Sequence, residues 1–101
     1  MTESLSIDDL VRRALDAYET LADLAEDVED EWLYISEVTA AWRERIEVAR
    51  AARGSEPADE WLLAAVDRLI DEVGRIADAH RAIDWLSTFP QVLLAAMGEQ
   101  P

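Results

Sequence analysis

The chain has no cysteine, no lysine and no asparagine, and its 101 residues include one histidine, three glycines and three prolines. Without cysteine there is no disulfide, no thiolate metal site and no thiol nucleophile. A single imidazole, His80, leaves little for histidine-based metal or acid–base chemistry. No alternating strand pattern and no hairpin dipeptide occurs. The longest uncharged run, Trp85–Gly98, is fourteen residues, short of the roughly 20 that cross a bilayer. No basic stretch followed by an apolar run opens the chain. The expectation is a soluble, cytoplasmic protein with no membrane partner.

What is present is helix-forming and acidic. Half the residues are hydrophobic, and 23 acids against nine arginines give a net charge of −14. That balance argues against direct nucleic-acid binding, which rests on neutralising phosphates. The length suits a single domain over residues 1–101 with one core.

Ser6 is placed to cap a first helix, with Asp8 and Asp9 at the positive end of its dipole. From there an apolar seam steps by four and three: Ile7, Val11, Ala14, Tyr18, Leu21, Ala25, Val28, Trp32, Ile35, Thr39, Trp42, Ile46, Ala49. Such spacing is a heptad stripe. A second stripe runs Leu62, Val66, Leu69, Val73, Ile76, His80, Ile83. Gly54, Ser55 and Pro57 separate the two. Ser87 or Thr88 is placed to cap a last short helix that Pro90 opens and Gly98 closes.

The fold expected is therefore all-α, a small antiparallel bundle of three main helices plus a short C-terminal one, at about 6–27, 30–53, 57–87 and 90–97. Residues 7–53 admit one helix or two. An unbroken one would be about 70 Å long and would leave part of its stripe for a second subunit. Like-charge pairs at i,i+4 in Asp23–Glu31 and the weaker helix formers that follow place a break between residues 26 and 33, with Asp27 or Asp30 as the next cap.

The acidity spreads over both halves of the chain, −8 in residues 1–53 and −6 in residues 54–101. It reads first as a solvated coat of the kind that high salt screens. Its alternatives are a nucleic-acid mimic or a surface for a basic partner. Asp67, Asp71, Asp78, Glu44 and Glu47 fall outside the stripes. Glu29, Glu31, Arg43, Arg45, Arg50, Glu72 and Asp84 flank them, where interhelical ion pairs belong. His80, with Asp84 one turn on, reads as a satisfied histidine at a bundle edge near a helix C-terminus.

Glu44-x-x-Glu47 followed by Glu72-x-x-Arg75 resembles, over those four residues, the all-α nucleotide pyrophosphohydrolases of the MazG type. That resemblance implies magnesium held by bundle carboxylates and hydrolysis of a nucleotide. Arg75 stands where the final carboxylate belongs and would repel the metal. No catalytic, cofactor-binding or metal-ligating residue is assigned.

Trp32, Trp42, Trp85, Leu86, Phe89, Val92, Leu93 and Met97 are the candidate interface, since tryptophans anchor interfaces and the last helix is too apolar for one face to hide. The function expected is non-catalytic, through protein–protein contact, with a second copy as the first candidate partner.

Overall fold

A computed structural model describes residues 5–28 and 32–98, except for the Trp32 side chain. Four helices follow in order: α1 (Ile7–Ala25), α2 (Trp32–Arg53), α3 (Glu60–Arg75) and α4 (Ala79–Ala96). Side-chain caps set the starts of α1, α3 and α4. Ser6 and Asp9 form a reciprocal capping box at α1, the Ser6 hydroxyl accepting from the Asp9 N–H at 3.2 Å and the Asp9 carboxylate accepting from the Ser6 N–H at 3.3 Å. The two remaining N–H groups of that turn donate to the α2–α3 connection, Ile7 to the Glu56 carbonyl and Asp8 to the Gly54 carbonyl, both at 2.9 Å. All four donors that a helix start leaves over are thus satisfied. Asp59 caps α3 through the Leu62 N–H at 2.8 Å, and Asp78 caps α4 through the His80 N–H at 3.1 Å.

These contacts fix the directions of the helices. Asp8 at the start of α1 meets Arg50 at the end of α2 at 2.5 Å, and Glu19 meets Arg43 at 2.5 Å, so α1 and α2 are antiparallel. The Ala58 N–H donates to the Leu5 carbonyl at 2.8 Å, so α1 and α3 start at the same end. Arg53 of α2 reaches the Met97 carbonyl just beyond α4, which sets α4 parallel to α2. The α1/α4 pair is central: each packs against all three other helices, whereas α2 and α3 flank it and do not meet. The described residues form an all-α bundle with a radius of gyration of 13.7 Å.

Both stripes are legible in the core. Ile7, Val11, Ala14, Tyr18, Leu21, Ala25, Ile35, Ile46 and Ala49 are buried from the first, and Leu62, Val66, Leu69, Val73 and Ile76 from the second. The break expected between residues 26 and 33 lies between Ala25 and Trp32, so the single long helix does not form. Of the caps considered there, Asp30 lies outside the described residues, as do Glu29 and Glu31.

The expected third helix, 57–87, is corrected. It stops at Arg75, where Ile76 turns to an extended backbone (φ −82°, ψ 120°), and a new helix starts at Ala79. Gly74 weakens the last turn of α3, and Asp78 offers α4 a cap. The short 90–97 helix is corrected with it: α4 covers 79–96 and runs through Pro90. Neither Ser87 nor Thr88 caps it. Gly98 does close it, in the left-handed region at φ +85°, as a helix-terminating glycine does.

Candidate functional site

The three-residue link Ile76–Asp78 turns α4 back along α3. The core stripe of α3 faces α1, and the core stripe of α4 (Ala82, Leu86, Phe89, Leu93) is buried with it. Along the outer seam the two helices present mostly small side chains to each other: Ala64 and Ala65 on α3, Ala95 and Ala96 on α4. Alanines cannot fill the space between two helix cylinders, so a trough of about 750 Å³ remains, with Leu69 in its floor. Trp61, Trp85 and Val92 line it, with Arg68 and Glu72 supplying its two charges. Trp61 is 74% exposed and Val92 40%, while Trp85 is half-buried.

The predicted interface residues divide sharply. Leu86, Phe89, Leu93 and Met97 are at most 3% exposed. They belong to this chain's own core and offer nothing to a partner, which corrects their assignment as interface residues. The close-set apolar run of α4 covers the bundle from within because α4 is central rather than a lid over one end. Trp42 is half-buried on α2, under the Arg45 guanidinium at 4.8 Å. The Trp32 side chain lies outside the described residues. Among the described candidates, Trp85 and Val92 reach the trough. Trp61 was missed, although a tryptophan one residue off the Leu62 stripe was the available signal. Ala64, Ala65, Ala95 and Ala96 carried none, because alanine reads equally well as surface or seam.

Several charged side chains are occupied with each other. Arg50 bridges Asp8 and Glu47 (3.0 Å to Glu47), Arg12 meets Asp8 at 3.1 Å, Arg53 meets Glu56 at 3.2 Å, and Arg75 meets Asp71 at 3.1 Å. The hydrogen bond from Arg50 holds the Asp8 carboxyl below the ordinary range and raises Arg50 in turn. Glu44 and Glu47 are exposed on α2 and Glu72 lies on α3, two helices that do not touch. The Glu-x-x-Glu pair and Glu72 are therefore not brought together. Among the described residues no group of three or more histidines and carboxylates is placed to hold a metal ion. His80 is corrected as well: it is exposed in the first turn of α4, near a helix N-terminus.

One buried titratable group remains among the described residues. The Tyr18 hydroxyl donates to the Leu86 carbonyl at 2.7 Å, and its ring lies 5.5 Å from that of Phe89. Burial pushes this phenol up to about 12. The Arg43 guanidinium opposes that shift without cancelling it, and the nearby Thr39 hydroxyl is sealed from water with no partner in hydrogen-bonding geometry among the described residues. With no access to water, Tyr18 serves the packing.

No helix among the described residues is long and apolar enough to cross a membrane. Searches against family models, curated proteins and solved structures find no match for this chain.

Proposed function

We propose that this chain acts without catalysis, by holding another polypeptide in the trough between α3 and α4. The observation that carries this reading is Trp61. A side chain of that size, three-quarters exposed beside an apolar hollow, is an unused contact surface, and tryptophan is the residue most often found to anchor interfaces. The placement of the acids supports the same reading, since Glu44 and Glu47 are separated from Glu72 by the bundle and most arginines are engaged in ion pairs.

Selection of displayed peptides on the immobilised protein tests it. Enriched peptides are expected to lose binding to Trp61→Ala and to Val92→Glu, while keeping it for Val48→Glu on the far side of α2. Enrichment that ignores Trp61 and Val92, or none at all, would reject the trough as the working surface. Magnesium-dependent nucleotide hydrolysis abolished by Glu72→Gln would reject the non-catalytic reading itself.

A further inference from the structure

Resting on that reading, we infer that the trough takes a cationic amphipathic helix of about three turns. Its shape sets the length. On α3 it runs from Trp61 to Glu72 and on α4 from Trp85 to Ala96, each about 16 Å along the axis at 1.5 Å per residue. An elongated, open trough of that length matches the apolar face of a short helix better than it matches a compact metabolite, which a pocket would surround. The alanines on both walls admit a third backbone closely. Trp61 and Val92 at one end and Trp85 toward the other give its anchors, spaced a turn or two apart, apolar surface to cover.

Charge decides the sign. Residues 60–96 carry six carboxylates against three arginines, within a chain of net −14. Arg75 is already tied to Asp71, and Glu72, inside the trough, has no cation in ion-pair reach among the described residues. Arg68, one helical turn from Glu72, is the trough's single positive charge and gives the occupant a register: an acid opposite Arg68, bases elsewhere. The field of the whole chain attracts a basic helix and repels an acidic one. The same field disfavours a second copy of this chain, because two bodies of −14 must meet.

Three synthetic helical peptides with identical leucine anchors and flanks of arginine, glutamine or glutamate provide the test, read by calorimetry and by quenching of the protein's tryptophans. The arginine peptide is expected to bind about tenfold or more tighter than the glutamine one at low salt, with the gap closing as salt rises. Glu72→Gln is expected to weaken the arginine peptide several-fold and leave the glutamine peptide unchanged. Trp61→Ala, checked by circular dichroism for intact folding, is expected to weaken both, and Val92→Glu to weaken the glutamine peptide.

Equal binding of the arginine and glutamine peptides, lost in Val92→Glu, would overturn the cationic occupant and leave the trough's role standing. Binding of the arginine peptide undiminished by Trp61→Ala would mean diffuse attraction to the acidic surface, and would overturn the inference. A dimer in sedimentation that Val92→Glu dissociates would also overturn it, with a second copy as the occupant. Failure of all three peptides together with an empty peptide selection would remove both proposals.

Discussion

The Tyr18 hydroxyl of α1 donates to the one carbonyl in α4, that of Leu86, whose helical partner is missing because residue 90 is proline. In an uninterrupted helix the N–H of residue 90 would bond the carbonyl of residue 86. Pro90 has no N–H, and a proline in a helix interior usually bends or ends the helix. Here a side chain from the neighbouring helix takes the orphaned acceptor at 2.7 Å inside the core. α4 therefore continues to Ala96, and the contact pins the α1/α4 pair in register.

Tyr18→Phe leaves that carbonyl buried without its donor and is expected to cost about 1–2 kcal/mol, read as a shift in denaturation midpoint. Pro90→Ala returns an N–H to the same carbonyl. It is therefore expected to be more favourable in the Tyr18→Phe background than in the parent, by about 1 kcal/mol in a double-mutant cycle. Strict additivity of the two changes would show that they do not share the acceptor. Alkali gives a second readout: the folded phenol titrates near 12, above its ordinary 10. The stability it contributes is thus complete below pH 10 and is lost as pH rises through 12.

How legible was this in the chain? The apolar seams were, since Leu62, Val66, Leu69 and Val73 announce a buried face through spacing alone, and Ser6-Ile-Asp-Asp9 announces a cap. Pro90 was misread because its local meaning, a helix start, is correct wherever no distant hydroxyl serves the carbonyl four residues back. That hydroxyl lies 68 residues from Leu86, beyond any local pattern. The Gly54 and Glu56 carbonyls that complete the start of α1 were hidden too, because they are remote in sequence and backbone acceptors carry no side-chain signature. The Gly74–Asp78 break was present in the letters and was overridden by a seam that kept phase through Ile76. The trough was illegible for a different reason: it is made of what is absent between four alanines.

Acid should expose the Asp8–Arg50 contact. The Asp8 carboxyl is held below its ordinary value near 3.8, chiefly by the Arg50 hydrogen bond. A depressed folded pKa contributes stability above the unfolded value and loses it as pH falls through the folded one. The stability gap between the parent and Asp8→Asn is expected to be constant at neutral pH and to shrink as pH drops below about 4. A gap that persists undiminished well below that range would assign it to the helix start rather than to the ion pair.

The glycines predict opposite signs. A Cβ at Gly74 would meet nothing within 4 Å, so Gly74→Ala is expected to raise stability by about 0.5–1 kcal/mol through helix propensity. A Cβ at Gly54 would lie 2.5 Å from the Arg50 carbonyl oxygen and 3.4 Å from the Asp8 Cβ. Gly54→Ala must displace backbone and is expected to cost about 1–3 kcal/mol. Thermal melts of the two variants should bracket the parent, and the reverse order would contradict the packing of the α2–α3 connection against α1.

Gly98 and Arg53 separate two costs at the end of α4. Alanine at residue 98 meets a left-handed backbone at φ +85°, worth about 1–2 kcal/mol for a residue with a Cβ. It also meets the Arg53 guanidinium nitrogen 2.9 Å away, the group that donates to the Met97 carbonyl and sets a cation at the negative end of α4. Arg53 is the far end of a flexible chain and can yield, at the expense of that bond. Gly98→Ala is therefore expected to cost more in the parent than in an Arg53→Ala background, where backbone strain alone remains. Equal costs in the two backgrounds, measured by chemical denaturation, would mean that the guanidinium moves aside freely and does not hold α2 to α4.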